Sequence, residues 1–370
     1  MQRIQMLSRS QRLLLFVLIF GGGLFLIIAF AAFLIFQALS PDADETSRAI
    51  QSEPVLIPLT ADDTRNAVLI NVREYALFED EEAHPSSLAL ADDGTLYVGS
   101  YATGTIWRIP PGGNAAPDGT VIDGIIEEIP GTRDQIGSVT GLALGPDGTL
   151  YVADRIDPNP RAAGGTIWRI VDDEITPVGN VDSASGLIAP GHIATDPAGN
   201  LYVIDRGDGQ LGRFAPDGET DRIWTIPDEV ADNDAMIPTG IAYDPSTDSL
   251  IVTDSELSVV FRVSLDGTNT EELYRYTGPA DDAPQFNGVD VSADGTIYLA
   301  ALSNRRVAML LDGTLYYLAE NFRQVSDVAV SADGRTIYAT NLDGRSLVLP
   351  GVQPRRPFSV DAISLDVADD

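Results

Sequence analysis

The chain has 370 residues, 44% of them hydrophobic and 21% charged, the balance of a folded protein able to bury one large core or two ordinary ones. Its 55 acidic residues outnumber 23 basic ones, all of them Arg, for a formal charge of -32; such a surface repels phosphate backbones and argues against a nucleic-acid partner. Cysteine is absent, which excludes disulfides, thiolate nucleophiles and zinc-thiolate sites together.

In chain order, residues 1–12 carry Arg3, Arg9 and Arg12 without an acid, and the stretch from Leu13 to Phe36 contains no charge at all. As a helix that stretch reaches ~36 Å, enough to cross a hydrocarbon core of ~30 Å. A single transmembrane helix is therefore expected over residues 13–39. Asp42, Asp44 and Glu45 follow it, so the basic flank holds a short N-terminal tail in the cytoplasm and places the rest outside the cell membrane. The alternative is a cleaved signal peptide, whose apolar core usually spans ~7–15 residues; here Pro41 follows the small-residue site Ala38-Leu39-Ser40. Residues 40–66, rich in Pro, Asp and Thr without sustained periodicity, read as a stalk.

A phrase then repeats. SSLALADDGTLYVGSY from Ser86 is followed by TGLALGPDGTLYVADR from Thr140, GHIATDPAGNLYVIDR from Gly191, TGIAYDPSTDSLIVTDS from Thr239, NGVDVSADGTIYLAAL from Asn287 and SDVAVSADGRTIYATNL from Ser326. Each copy is two short apolar runs around a turn with glycine at Gly94, Gly148, Gly199, Gly295 or Gly334; in the fourth, Ser246-Thr247-Asp248 stands there instead. Runs apolar throughout suit strands packed on both faces, and the Asp-Gly turn suits a tight hairpin. Third strands follow at Thr105–Ile109, Thr166–Ile170, Gly212–Phe214, Val260–Val263 and Arg306–Leu310, and fourth strands at Ile125–Ile129, Arg222–Ile226, Glu272–Tyr276 and Thr314–Ala319. A period of about 40–50 residues opening on a hairpin is that of propeller blades. The fold expected is all-β, a six-bladed β-propeller over residues 67–350, preceded by the membrane helix and followed by a tail, 351–370, that could pack on the last blade. In the sixth copy Ser346–Leu349 reads as the third strand, and closure is expected from Val72–Phe78, with Pro357–Ile363 of the tail as the competing strand.

The repeated phrase, with its later G-x-I-x-R-[IF] element, is similar to the NHL repeat and to the SMP-30/gluconolactonase/LRE-like propellers, and more loosely to streptogramin-lyase-like ones. The resemblance covers about Val72 to Pro350 and implies the fold more than an activity, because this fold hosts binding modules and enzymes alike.

Longer connections, at Pro130–Val139, Ile156–Gly165, Val181–Pro190, Pro227–Pro238 and Gly278–Phe286, all open at the end opposite the hairpin turns. Variable loops on one rim of a rigid ring are where binding sites are usually built. The candidate ligand-binding rim is Asp154, Arg155, His192, Asp205, Arg206, Asp254 and Asn287. The three aspartates have a structural alternative, capping the loops that follow them, as NHL repeats commonly do. A ring of carboxylates also leaves Ca²⁺ or another divalent cation open as a cofactor, although no compact calcium loop is present.

For the metal-dependent lactonases of the SMP-30-like class, the resemblance implies an axial divalent ion held by Glu, Asn and Asp at inner-strand starts. Asn287, followed by Gly288, matches; Ser86, Thr140, Gly191, Thr239 and Ser326 stand at the other copies. Asp327 is displaced by one position, which in a strand turns its side chain to the other face. Metal candidates are thus Asn287 and Asp327, and catalytic candidates His192 and Asn287. A histidine beginning an inner strand can act as acid, base or ligand, or simply satisfy backbone groups. His84, before Pro85, reads as a solvated loop residue. Arg206-Gly207-Asp208 spells an adhesion tripeptide too short to be specific, and Gly21-Gly22-Gly23 could serve helix packing. Two readings result. One is a membrane-anchored extracytoplasmic propeller that binds a small molecule, glycan or protein on its long-loop face; the other is a divalent-metal-dependent lactonase-like hydrolase.

Overall fold

The computed structural model describes residues 50–51, 68–116, 120–156, 164–178, 187–216, 220–225, 237–348, 352–354 and 356–367. Residues 47–349 and 354–370 make up one folded unit; of a second, 1–46 and 350–353, only residues 352 and 353 are described. The expected membrane helix lies outside the described residues, and among these no helix is long and apolar enough to cross a membrane.

Six antiparallel sheets form the blades. Their inner strands are Pro85–Leu90, Val139–Leu144, Pro190–Thr195, Pro238–Asp244, Phe286–Val291 and Val328–Val330 for blades 1 to 6. The hairpins form because an Asp-Gly pair solves the turn locally. Gly94 takes φ 86°, and the Asp93 carboxylate accepts the Thr95 amide at 2.8 Å. In blade 4 the same conformation falls to Asp248, with φ 49°. Aspartate is among the few side-chain-bearing residues that tolerate it, so the copy that lacks glycine keeps the turn.

Apolar clusters fill the seams between blades, because strands apolar on both faces have neighbours on both. Ile106, Val139 and Val152 join blades 1 and 2, Val252, Phe261 and Tyr202 join blades 3 and 4, and Phe78, Trp107 and Phe358 close blade 6 onto blade 1. Each seam is a separate small core.

Closure differs from the expectation in one strand and combines the two alternatives. Ser346–Leu349 is not a strand; Arg345–Val348 is a helical turn, with the Ser346 hydroxyl bonded to the Asp343 carbonyl at 2.9 Å. Phe358–Val367 supplies the third strand of blade 6 and Val68–Phe78 the fourth, in the order inner strand, Thr336–Thr340, Phe358–Val367, Val68–Phe78. The two outer strands pair from Val68↔Val367 to Phe78↔Phe358. Length decides the outcome: a four-residue run with three apolar positions offers little sheet, whereas the tail strand runs 10 residues and buries Phe358 and Ile363 completely. A further short strand, Ile50–Gln51, adds to the outer edge of blade 5.

Candidate functional site

Inner strands begin on one rim, and second strands end there. Asp154, Asp205 and Asp254 occupy those ends and are all buried. Asp154 Oδ1 accepts the amides of Gly137, Ser138 and Ile156 at 3.1, 2.9 and 2.7 Å, and its Oδ2 accepts the Trp168 indole N–H at 3.0 Å. Asp205 accepts the amides of Ile188, Ala189 and Gly207 at 2.7, 2.8 and 3.0 Å, and Asp254 that of Leu257 at 2.7 Å. These carboxylates tie the loop entering each inner strand to the turn leaving the second. None of the three lines the axial cavity. Burial pushes Asp254 up to about 6, against the pull of the backbone amides bonded to it. Arg155, beside Asp154, is buried as well.

The inner-strand starts serve the ring in a different way. The Ser86 hydroxyl donates to the Val139 carbonyl at 2.8 Å, Thr140 to Pro190 at 2.9 Å, Thr239 to Phe286 at 2.8 Å and Ser326 to Ser86 at 2.9 Å, each a link to the next blade. Only blades 3 and 5 break the pattern at this position, with Gly191 and Asn287. Among the described residues no cluster of His, Asp and Glu is placed to hold a metal ion. The donor set implied for a lactonase metal is therefore not met: hydroxyls stand where carboxylates are needed, and they are spent on neighbouring carbonyls.

One step further in, the axis-facing column reads Ser87, Gly141, His192, Gly240, Gly288 and Asp327, and two steps on Ala89, Ala143, Ala194, Ala242, Asp290 and Ala329. Six strands converging on an axis leave room for little else. At Gly240 a Cβ would stand 2.0 Å from the Asn287 carbonyl oxygen, and at Gly288 one would stand 2.1 Å from Asp327 Oδ1. His192, Asp290 and Asp327 are the exceptions, and they fill the channel. Asp327 is not turned away from the axis as its offset suggests. It precedes the regular part of its strand, Val328–Val330, so strand alternation does not govern it. Its carboxyl group accepts the Leu88 and Val328 amides, both at 2.9 Å, and lies 3.6 Å from His192 Nδ1. Asp290 similarly accepts the amides of Val330 at 2.7 Å and Val291 at 2.8 Å.

Burial controls the charge states. His192 is pushed down to about 3 by burial and then by the Arg206 charge, Asp290 up to about 6, and Asp327 well above the usual carboxylate range. At neutral pH the imidazole is neutral. A base that weak takes a proton poorly from a substrate. Asp290 escaped the sequence reading, although one acid in a column of alanines is a visible signal. His84 is not solvated: it is buried against Phe358, with Nδ1 2.9 Å from the Leu342 carbonyl oxygen.

His192 separates two axial cavities. The one on the hairpin side, about 300 Å³, is walled by inner strands with the alanine column, Asp290 and Asp327. The one on the long-loop rim, about 270 Å³, is bordered by Tyr101, His192, Arg206, Asn287, Leu342 and Arg345, among others. Of the candidate rim residues the structure thus brings His192, Arg206 and Asn287 together and leaves Asp154, Arg155, Asp205 and Asp254 in the wall behind them. The loop segments 157–163, 179–186 and 226–236 lie outside the described residues.

No family model matches the sequence, and no curated relative matches it. Solved structures do resemble the fold. A gluconolactonase from Xanthomonas campestris is 13% identical with a TM-score of 0.57, over 87% of this chain and 99% of that one. Virginiamycin B lyase from Staphylococcus aureus is 16% identical with a TM-score of 0.52, over 80% and 100%. A PQQ-bound aldose sugar dehydrogenase from Streptomyces coelicolor is 16% identical with a TM-score of 0.53, over 81% and 98%. Three different activities on similar rings locate the likeness in the scaffold. The similarity to the NHL repeat is carried by the sequence phrase alone. The chain is a six-bladed β-propeller of the architecture that gluconolactonases and streptogramin B lyases also use.

Proposed function

We propose that this protein is a binding propeller that takes a small ligand into the axial cavity of its long-loop rim. One observation carries the reading: Tyr101, His192, Arg206 and Asn287 border that cavity, and among the described residues no side-chain hydrogen bond joins any of them to the protein. Four polar side chains around one cavity, none of them committed to the protein, make a surface open to an occupant. The weak basicity of His192 and the absence of a carboxylate set around Asn287 favour binding over hydrolysis. Ligand-observed NMR on the full chain in detergent, with a library of small molecules, soluble glycans and short peptides, tests the reading. Bound compounds should be lost from Asn287→Trp, which fills the cavity; binding that survives this variant would place the site elsewhere.

The similar fold of the gluconolactonase supports the rival reading, a divalent-metal-dependent lactonase. Lactone turnover abolished by Asn287→Ala, together with calcium-dependent thermal stabilisation, would establish it in place of binding.

We further propose that the ring is tethered outside the cell membrane by the uncharged stretch from Leu13 to Phe36. Resistance to alkaline extraction, with the ring open to external protease, is the expected result; release into the supernatant would contradict it.

A further inference from the structure

We infer that the occupant of the long-loop cavity is an organic carboxylate with an apolar body, its anion held by the Arg206 guanidinium and its body against Leu342 and Leu347. The inference rests on the ligand-binding reading and names the ligand class. In a chain with 55 acidic residues, no Asp or Glu among the described residues lines this cavity, while Arg206 and Arg345 both do. Arg206 forms no ion pair or side-chain hydrogen bond among the described residues; only its backbone amide is bonded, to the Ala189 carbonyl at 2.9 Å. A guanidinium ordinarily finds a carboxylate in so acidic a protein, and its planar fork matches one with two parallel bonds.

The fold makes room for this cation. A Cβ at Gly191 would stand 3.1 Å from Arg206 Cγ and 3.2 Å from its Cδ, so the glycine lets the arginine stem lie across the start of the inner strand. The head stays open to solvent at the mouth but is crowded by its surroundings, and this crowding together with the Arg155 charge lowers its pKa. An anion there offsets the Arg155 repulsion and stabilises the charged guanidinium. The protein's overall negative charge does not defeat this, because at physiological ionic strength screening confines charge effects to ~8 Å.

The remaining groups select the rest of the molecule. Asn287 and Tyr101 offer uncharged donors, and neutral His192 offers one N–H and one acceptor. Leu342 and Leu347 form the apolar wall, and Leu347, Ile156 and Ile188 are among the few exposed large apolar side chains of the described residues. Phosphate, with its greater charge and number of acceptors, would leave that wall unused. A small acid with an alkyl or aryl body uses both parts.

The test is isothermal titration of the full chain in detergent with hexanoate and phenylacetate, against hexanamide, phenylacetamide and inorganic phosphate. Both acids should bind saturably and at least tenfold more tightly than their amides, and Arg206→Gln should remove that preference. Arg206→Lys should keep part of the preference, since charge remains without the fork. Equal affinity for acids and amides in the unaltered protein would overturn the carboxylate inference and leave cavity binding intact. Phosphate binding more tightly than either acid, or no binding of the acids while library compounds still occupy the cavity, would overturn it as well. No compound of any class in the cavity would sink the binding reading itself.

Discussion

His192 Nδ1 and Asp327 Oδ1 meet 3.6 Å apart at the axis, from blades 3 and 6 on opposite sides of the ring. The distance is too long for a hydrogen bond, and burial opposes charge on both groups. Burial lowers the imidazole to about 3 and raises the carboxyl group well above its ordinary range. Burial thus works against an ion pair here. The pair divides the channel into two cavities while leaving the upper one its positive character.

The acid limb of the stability curve should report this state. A histidine lowered from 6.5 to about 3 binds its proton more readily in the unfolded chain, so its contribution is present above pH 6.5 and is lost as pH falls toward 3. Urea unfolding of the wild type and His192→Gln between pH 4 and 7 should give curves that converge at the acid end, with a difference on the order of a few kcal/mol over the window. Curves that stay parallel would mean that the imidazole titrates as it does in the unfolded chain, and a gap that widens toward acid would mean that the pair is charged.

Asp290 should act with the opposite sign. Its carboxyl group rises from 3.8 to about 6 on burial, so the folded state binds the proton more tightly, and the stabilisation present below pH 3.8 is lost as pH rises through 6. Asp290→Asn removes one acceptor from the Val330 or Val291 amide and should be less stable than wild type at pH 4. By pH 7 the gap should shrink or invert, by about 3 kcal/mol at most. A gap independent of pH would show that Asp290 titrates normally.

Much of the ring was legible because each blade solves its hairpin locally, with Asp and Gly in the turn and apolar runs beside it. The closing strand was less so: Ser346–Leu349 satisfies a strand pattern over four residues, but Phe358–Val367 has the length and the neighbours. Only tertiary pairing with Val68–Phe78 separates them. At the site, the aspartates ending the second strands were visible as a column, yet their direction depends on loop amides brought back from the preceding connection. Asp327 illustrates the same limit, since its place on the axis follows from an irregular strand start that a period of two does not describe.

Asp205→Ala should be costly for a reason unrelated to any ligand. It would leave the amides of Ile188, Ala189 and Gly207 without the acceptor that now joins loop to turn. Each buried amide left unsatisfied costs about 1–3 kcal/mol, and water admitted at the rim will recover part of that. A loss of roughly 2–4 kcal/mol by urea denaturation is expected. A change under ~0.5 kcal/mol would mean that the carboxylate is not holding the rim.

Two glycines on the inner strands make contrasting predictions, because what lies opposite each differs in stiffness. At Gly288 an added Cβ would meet Asp327 Oδ1 at 2.1 Å, Asp327 Cα at 2.6 Å and the Ser326 carbonyl oxygen at 2.8 Å. Two of these are backbone atoms, and the Gly288 amide donates to that same carbonyl at 2.9 Å. The seam between blades 5 and 6 must open to admit a methyl group, so Gly288→Ala should cost about 2–4 kcal/mol. At Gly191 the closest atoms are the Arg206 stem at 3.1 and 3.2 Å, which can swing aside. Gly191→Ala should therefore change stability by under ~1 kcal/mol while displacing the guanidinium and weakening carboxylate binding. Equal melting temperatures for the two variants would show that the strands are not in close contact at the axis. Loss of stability without loss of binding in Gly191→Ala would separate the cradle from the arginine it is inferred to seat.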